Sequence, residues 1–169
     1  FQNNDKDNTQ FQVYIECNGT HNYTNAVKFV QTIFDAAYGG AIKMLSTQAC
    51  SFDLCSIVDT FGSPNPVVGN SMFYIGASTG GSQWASSKVS FRDCNRDLQG
   101  PTGSATWDIE CESTSDCITV GNYEVRDIPG VSTFFPQFNF HQCTNVLVMN
   151  CPDAVITNSG TSQVTLGPS

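Results

Sequence analysis

Phe138-Asn139-Phe140-His141-Gln142-Cys143-Thr144-Asn145-Val146-Leu147-Val148-Met149-Asn150 decides the fold class, because an alternating apolar and polar run and a short apolar run rich in Val lie on either side of a short turn group. Alternation with a period of two places one set of side chains on each face of a strand, and Thr144-Asn145 supplies the turn chemistry between the two runs. The pattern continues through Ala154 to Thr157 and Gln163 to Leu166, separated by Pro152-Asp153 and Ser159-Gly160-Thr161. Toward the N-terminus the same kind of run recurs at Ala41 to Leu45, Ser56 to Phe61, Met72 to Ile75, Lys88 to Arg92, Ala105 to Ile109 and Ile118 to Val125. Short strands at this spacing are what a β-solenoid or a β-sandwich requires.

Composition agrees with a mainly β chain. Its 169 residues suit one domain, and charged residues make up 13% against about a quarter in an average protein. Seven Lys and Arg against 15 Asp and Glu leave a net charge of −8 and no basic cluster, which argues against a nucleic-acid partner. No apolar run approaches the roughly 18 residues that cross a bilayer, so membrane insertion is not expected. Residues 1–24 read as a polar, glycosylated N-terminal segment and 25–169 as a single β-rich domain.

Eight cysteines (Cys17, Cys50, Cys55, Cys94, Cys111, Cys117, Cys143 and Cys151) point to disulfides and an oxidising compartment. A zinc site fits poorly, since no C-x-x-C pair occurs and the histidines are remote from each other. Cys50/Cys55, Cys111/Cys117 and Cys143/Cys151 are near enough in sequence for local loops, but eight cysteines admit about 105 pairings and spacing does not choose. Asn18-Gly19-Thr20 and Asn22-Tyr23-Thr24 are glycosylation sequons, as expected of a secreted chain. The start at Phe1, without initiator Met or signal-like segment, reads as a processed or excised product.

A loose repeat distinguishes solenoid from sandwich. Ile33-Phe34-Asp35 precedes Gly39-Gly40-Ala41-Ile42, Thr60-Phe61-Gly62 precedes Gly69-Asn70-Ser71-Met72, and Ser90-Phe91-Arg92-Asp93 precedes Gly103-Ser104-Ala105-Thr106. A further unit opens at Val125-Arg126-Asp127, so the starts Phe34, Phe61, Phe91 and Val125 fall about thirty residues apart. The Phe34 to Ile42 stretch resembles the F-x-x-N and G-G-A-I repeats of right-handed parallel β-helix proteins of the polymorphic membrane protein type. That resemblance implies an extracellular adhesive or structural role.

The expected fold is therefore all-β, a short disulfide-rich right-handed parallel β-helix, with an antiparallel β-sandwich as the alternative. Val27, Val30, Phe34 and Ala37 recur at helical spacing between Asn25 and Gly39, which predicts an amphipathic helix over 25–38 capping the solenoid.

Catalysis finds little support. Gly76-Ala77-Ser78-Thr79-Gly80 has the form of a nucleophile elbow, and Asp127 and His141 follow in the order such a triad needs. The following Gly81 to Ser87 is a poor helix former, however, and an elbow must lead into a helix. Asp93, Asp97, Asp108 and Glu110 form the best acidic group for glycan cleavage, with Asp108 and Glu110 on one strand face by alternation. His141 reads as a half-buried strand residue and His21 as exposed. Trp84, Trp107 and Tyr74 could stack on sugars. The expectation is a non-enzymatic secreted structural or adhesive protein, with no cofactor or metal, that self-associates or binds glycans. The alternatives are a lectin-like module and a secreted hydrolase of esters or polysaccharide.

Overall fold

The computed structural model describes residues 11–16, 24–35, 40–59, 71–77, 86–98, 107–112, 116–126, 135–160 and 163–168, with Thr24, Asp59, Leu98, Asp116 and Cys117 described by their backbone alone. The strands fall into successive circuits of the chain. The first holds β1 (Val13–Glu16), β2 (Thr24–Asn25), β3 (Lys28–Val30) and β4 (Ile33–Asp35). The second holds β5 (Ile42–Leu45), β6 (Thr47–Gln48), β7 (Ser51–Asp53) and β8 (Ser56–Asp59). The third holds β9 (Ser71–Gly76), β10 (Ser90–Arg92) and β11 (Asn95–Leu98), and the fourth β12 (Trp107–Glu112), β13 (Asp116–Gly121) and β14 (Glu124–Arg126). The fifth holds β15 (Gln137–His141) and β16 (Thr144–Met149), the sixth β17 (Val155–Ser159) and β18 (Val164–Leu166).

Each circuit adds one strand to each sheet it visits, giving the orders β1-β5-β9-β12-β15-β17, β3-β7-β10-β13-β16-β18 and β4-β8-β11-β14, with β2 beside β6. Every ladder among the described residues is parallel. The chain is all-β with parallel sheets, an arrangement consistent with a β-solenoid; the antiparallel alternative is overturned, since hairpins would pair strands adjacent in sequence.

The corners explain how such short strands stack. Gln31, Leu54, Asp93, Asn122 and Asn150 follow the strands of the second sheet, and each has φ between 49° and 55°. A left-handed residue costs an L-amino acid about 1–2 kcal/mol. Here it turns the chain sharply while its N–H still donates to the next circuit: Gln31 to Asp53 O at 2.9 Å, Leu54 to Arg92 O at 2.9 Å and Asp93 to Gly121 O at 3.0 Å. Gly40 meets a stricter demand, with φ at 120° and the Ser71 carbonyl oxygen 2.6 Å from where a Cβ would stand.

These corners also correct the expected helix. Residues 25–35 form β2, β3 and β4, broken by left-handed Ala26 and Gln31. Each corner resets the inside–outside alternation, so Val27 and Phe29 pack on the core and Phe34 is buried while Val30 is exposed. The resulting spacing imitates a helical period.

Inside, one residue per circuit stacks on its neighbours. Phe29 lies on Phe52 with centroids 5.2 Å apart and planes 4° apart, and Phe52 on Phe91 at 4.9 Å and 8°. Phe73 meets the Phe91 ring at 64° and 4.9 Å. The repeat frame shifts accordingly: Ile42 stacks on Phe73, one residue beyond the expected Met72, and Phe91 belongs to the second sheet whereas Phe34 and Val125 belong to the third.

The expected disulfides are not formed among the described residues: Cys50, Cys55, Cys94, Cys111, Cys143 and Cys151 carry thiols. Local loops fail for a geometric reason. Cys50 and Cys55 flank β7, and Cys143 and Cys151 flank β16. An extended strand advances about 3.3 Å per residue, so both pairs lie beyond the roughly 7 Å that a disulfide can span. Cys17 lies outside the described residues, as does the Cys117 side chain.

Candidate functional site

The outer face of the six-stranded sheet that contains β1 carries the most organised set of polar side chains. Register brings Tyr14, Lys43, Tyr74, Glu110, Asn139 and Thr157 into one column, one residue per circuit. A second column, two residues along, includes Glu112, His141 and Ser159. Alternation turns these residues out because Ile42, Met44, Phe73, Ile75, Ile109, Cys111, Phe138 and Phe140 between them are buried.

At one end of the strip the Lys43 ammonium lies 5.0 Å from the Tyr74 ring centroid and 6.0 Å from that of Tyr14. The Tyr14 hydroxyl donates to Glu16 at 2.6 Å, and this bond, with some burial, pushes the phenol up to about 12. Burial, then the hydrogen bond its hydroxyl donates to Glu112, raises the Tyr74 phenol. Gly76 is positioned for this ring, since a Cβ there would stand 3.0 Å from Tyr74 Cε1.

At mid-strip Glu110 accepts from Ser71 Oγ at 2.9 Å and from Asn139 Nδ2 at 3.1 Å. Burial nevertheless raises its carboxyl, outweighing both bonds that favour the charged form. His141 Nδ1 and Ser159 Oγ share a hydrogen bond of 2.6 Å. The arrangement offers aromatic surface, a cation, two carboxylates and an amide along a line, the donor and acceptor set that recognises hydroxyl-rich ligands.

The acidic group expected from the sequence is dispersed. Asp108 is fully buried: its carboxylate accepts from Arg96 Nη1 and the Tyr123 hydroxyl, each at 3.3 Å, and from the Gln137 N–H at 2.7 Å. Burial raises its carboxyl even against the Arg96 charge. Alternation therefore misplaced Asp108 beside Glu110. As the second residue of β12 it meets the buried guanidinium of Arg96, whereas Glu110 is bound by Ser71 and Asn139. Asp97 is held by Ser56 and Asn95 on the third sheet, and Asp93 accepts from Asn122 at 2.7 Å at a corner.

Of the residues expected to stack on sugars, Tyr74 is on the strip and Trp107 opens β12, half-buried and in register with Ser71. Trp84, Asn18, Asn22, His21, Ser78 and Asp127 lie outside the described residues. His141 is the half-buried strand residue expected. Lys43, Glu112, Asn139 and Ser159 escaped sequence reasoning, since only the circuit lengths bring them together. Among the described residues no group of three or more His, Cys, Asp or Glu side chains is placed to hold a metal ion. Comparison with protein-family models, with curated proteins and with solved structures finds no match.

Proposed function

We propose that this chain is a non-enzymatic, secreted structural and adhesive element, built as a short right-handed parallel β-helix whose outer strip is its contact surface. The observation that carries this reading is the six-residue column from Tyr14 to Thr157. Strands spaced about 4.8 Å apart present its members in a straight row, a geometry matched to extended, repetitive partners such as a polysaccharide or another solenoid. The paired sequons and cysteine content support an extracellular setting. A glycan is the favoured partner over self-association, because Tyr74 supplies an aromatic edge beside the Glu110 and Asn139 acceptors and donors.

A glycan array and a cell-surface adhesion assay test this with Tyr74→Ala and Glu110→Gln. Loss of at least tenfold in retained signal, with unchanged melting, supports the strip as the contact surface. Parent and variants adhering equally, or a parent without any signal, overturns it. Negative-stain imaging reads the self-association branch, which a strictly monomeric particle removes.

A further inference from the structure

Four of the buried cysteines meet in two pairs across neighbouring circuits. Cys55 precedes β8 and Cys94 precedes β11, and those strands run in register from Ser56 beside Asn95 onward. The Asn95 N–H donates to the Cys55 carbonyl at 3.0 Å, and the Cys94 thiol donates across to the Phe52 carbonyl of the circuit that holds Cys55 at 3.5 Å. Cys111 lies in β12, and the Cys143 thiol donates to its carbonyl oxygen at 3.2 Å and contacts its sulfur. Cys55 and Cys94 hold neighbouring positions one residue before Ser56 and Asn95, and adjacent parallel strands lie about 4.8 Å apart, inside the roughly 4.4–6.8 Å between the Cα atoms of a disulfide. Cys111 is in register with Phe140, and the left-handed corner at Gln142 returns the chain so that the Cys143 thiol reaches Cys111. Cys50 and Cys151 have different surroundings, with Cys50 Sγ donating to the Gln48 carbonyl and Cys151 Sγ accepting from the Tyr123 N–H.

We propose that Cys55–Cys94 and Cys111–Cys143 are two disulfide sites that fasten the second circuit to the third and the fourth to the fifth. Each closes by exchange with a low-molecular-weight disulfide. One cysteine thiolate attacks an external sulfur and expels a thiolate; its partner then attacks the mixed disulfide and expels the second. Two electrons pass to the external disulfide, and the two cysteine protons end on the released thiols. Cys55 is the attacking member of its pair, since hydrogen bonding from Cys94 brings its thiol down to about 7. All four side chains are at most 1% exposed, so exchange takes place while the circuits are docking and the closed bonds are shielded from reductant.

The third and fourth circuits, which these bonds skip, are joined by Arg96 and Asp108, so covalent and ionic ties alternate along the stack. The inference rests on where the thiols stand and holds whether or not the adhesive reading does.

The full chain, refolded with oxidised glutathione, is alkylated in denaturant and digested without reduction. Mass spectrometry is expected to find Cys55 and Cys94 joined and Cys111 and Cys143 joined. In Cys94→Ser, Cys55 becomes alkylated while Cys50 is unchanged, and in Cys143→Ser the same happens to Cys111. Reductant added during refolding is expected to lower the melting midpoint of the parent by roughly 10 °C and leave the Cys94→Ser, Cys143→Ser double variant unmoved. Full alkylation of all four in the oxidised parent, or bonds from them to any other cysteine, overturns the proposal.

Discussion

Among the described residues, each of the first four circuits contributes a strand to the third sheet, β4-β8-β11-β14, whereas the fifth and sixth contribute only to the first and second, and the interior changes with them. Between Ile42 and Phe138 the circuits of the first sheet take 29 to 36 residues, but Phe138 and Ile156 are only 18 apart. Wide circuits enclose the Phe29, Phe52 and Phe91 stack with Phe73 against it; the fifth encloses Phe138, Phe140, Val146 and Val148, and the sixth, whose β17 and β18 are the end strands of their sheets, leaves Ile156 half-buried and Leu166 66% exposed. Around the narrow circuits, Val148, Cys151, Ala154, Ile156 and Leu166 line a cavity of about 260 Å³. The rings a circuit encloses and its place in the stack thus decide how much apolar surface it removes from water, even where the strand pattern stays equally regular.

The sharpest way to break this comparison is to remove the ring at the centre of the wide circuits. Phe52→Ala is expected to cost about 3–5 kcal/mol, because the flanking stacked rings hold the cavity open. Equilibrium urea unfolding measures it. A slightly smaller loss is expected for Arg96→Met, about 3 kcal/mol, since the fully buried Asp108 then keeps only its neutral donors. Adding Asp108→Leu to Arg96→Met is expected to recover much of that loss. A double variant no more stable than the single one would show that the pair is not energetically coupled.

Acidity sharpens the contrast between interior and rim. Burial raises Asp108, so the folded chain holds that proton more tightly than the unfolded chain; its stabilising contribution is complete below the ordinary carboxylate range and is lost as pH rises through the folded value. Asp53 behaves oppositely. Its partial burial is outweighed by Arg92 at 2.8 Å and Lys28 at 3.2 Å, which lower it, so its contribution is present above the ordinary range and lost as pH falls. Unfolding midpoints between about pH 3 and 8 are expected to flatten on the rising side in Asp108→Asn and on the acid side in Asp53→Asn. The smallest effect belongs to the narrow circuits: Leu166→Ala is expected to change stability by no more than about 0.5 kcal/mol. A loss approaching that of Phe52→Ala would erase the distinction between wide and narrow circuits.

Much of the stack was legible in the chain. The run around Phe138 alternates and those around Val146 and Met72 are short apolar runs bounded by turn residues, so all three read as strands, and they are β15, β16 and β9. Strands β3, β4, β7 and β11 went unread since each is three or four residues long and borders a left-handed corner, β3 ending and β4 beginning beside Gln31, β7 ending at Leu54 and β11 beginning after Asp93, none of which announces a turn as Gly would. On the strip Tyr74, Glu110 and His141 were singled out, each for a separate reason and none as a neighbour of the others. Lys43 and Glu110, the neighbours of Tyr74, lie 31 and 36 residues away in the chain, and unequal circuit lengths hide such a column from any fixed period.

By itself the sequence determined strand periodicity, low charge and a repeat of about thirty residues, all properties of local pattern and composition. The tertiary structure alone decided register, since a one-residue shift in any circuit would turn every following side chain of that strand to the opposite face. Register is what buries Asp108 against Arg96, sets Cys55 on Cys94, and lines Tyr14 through Thr157 into a single outward row.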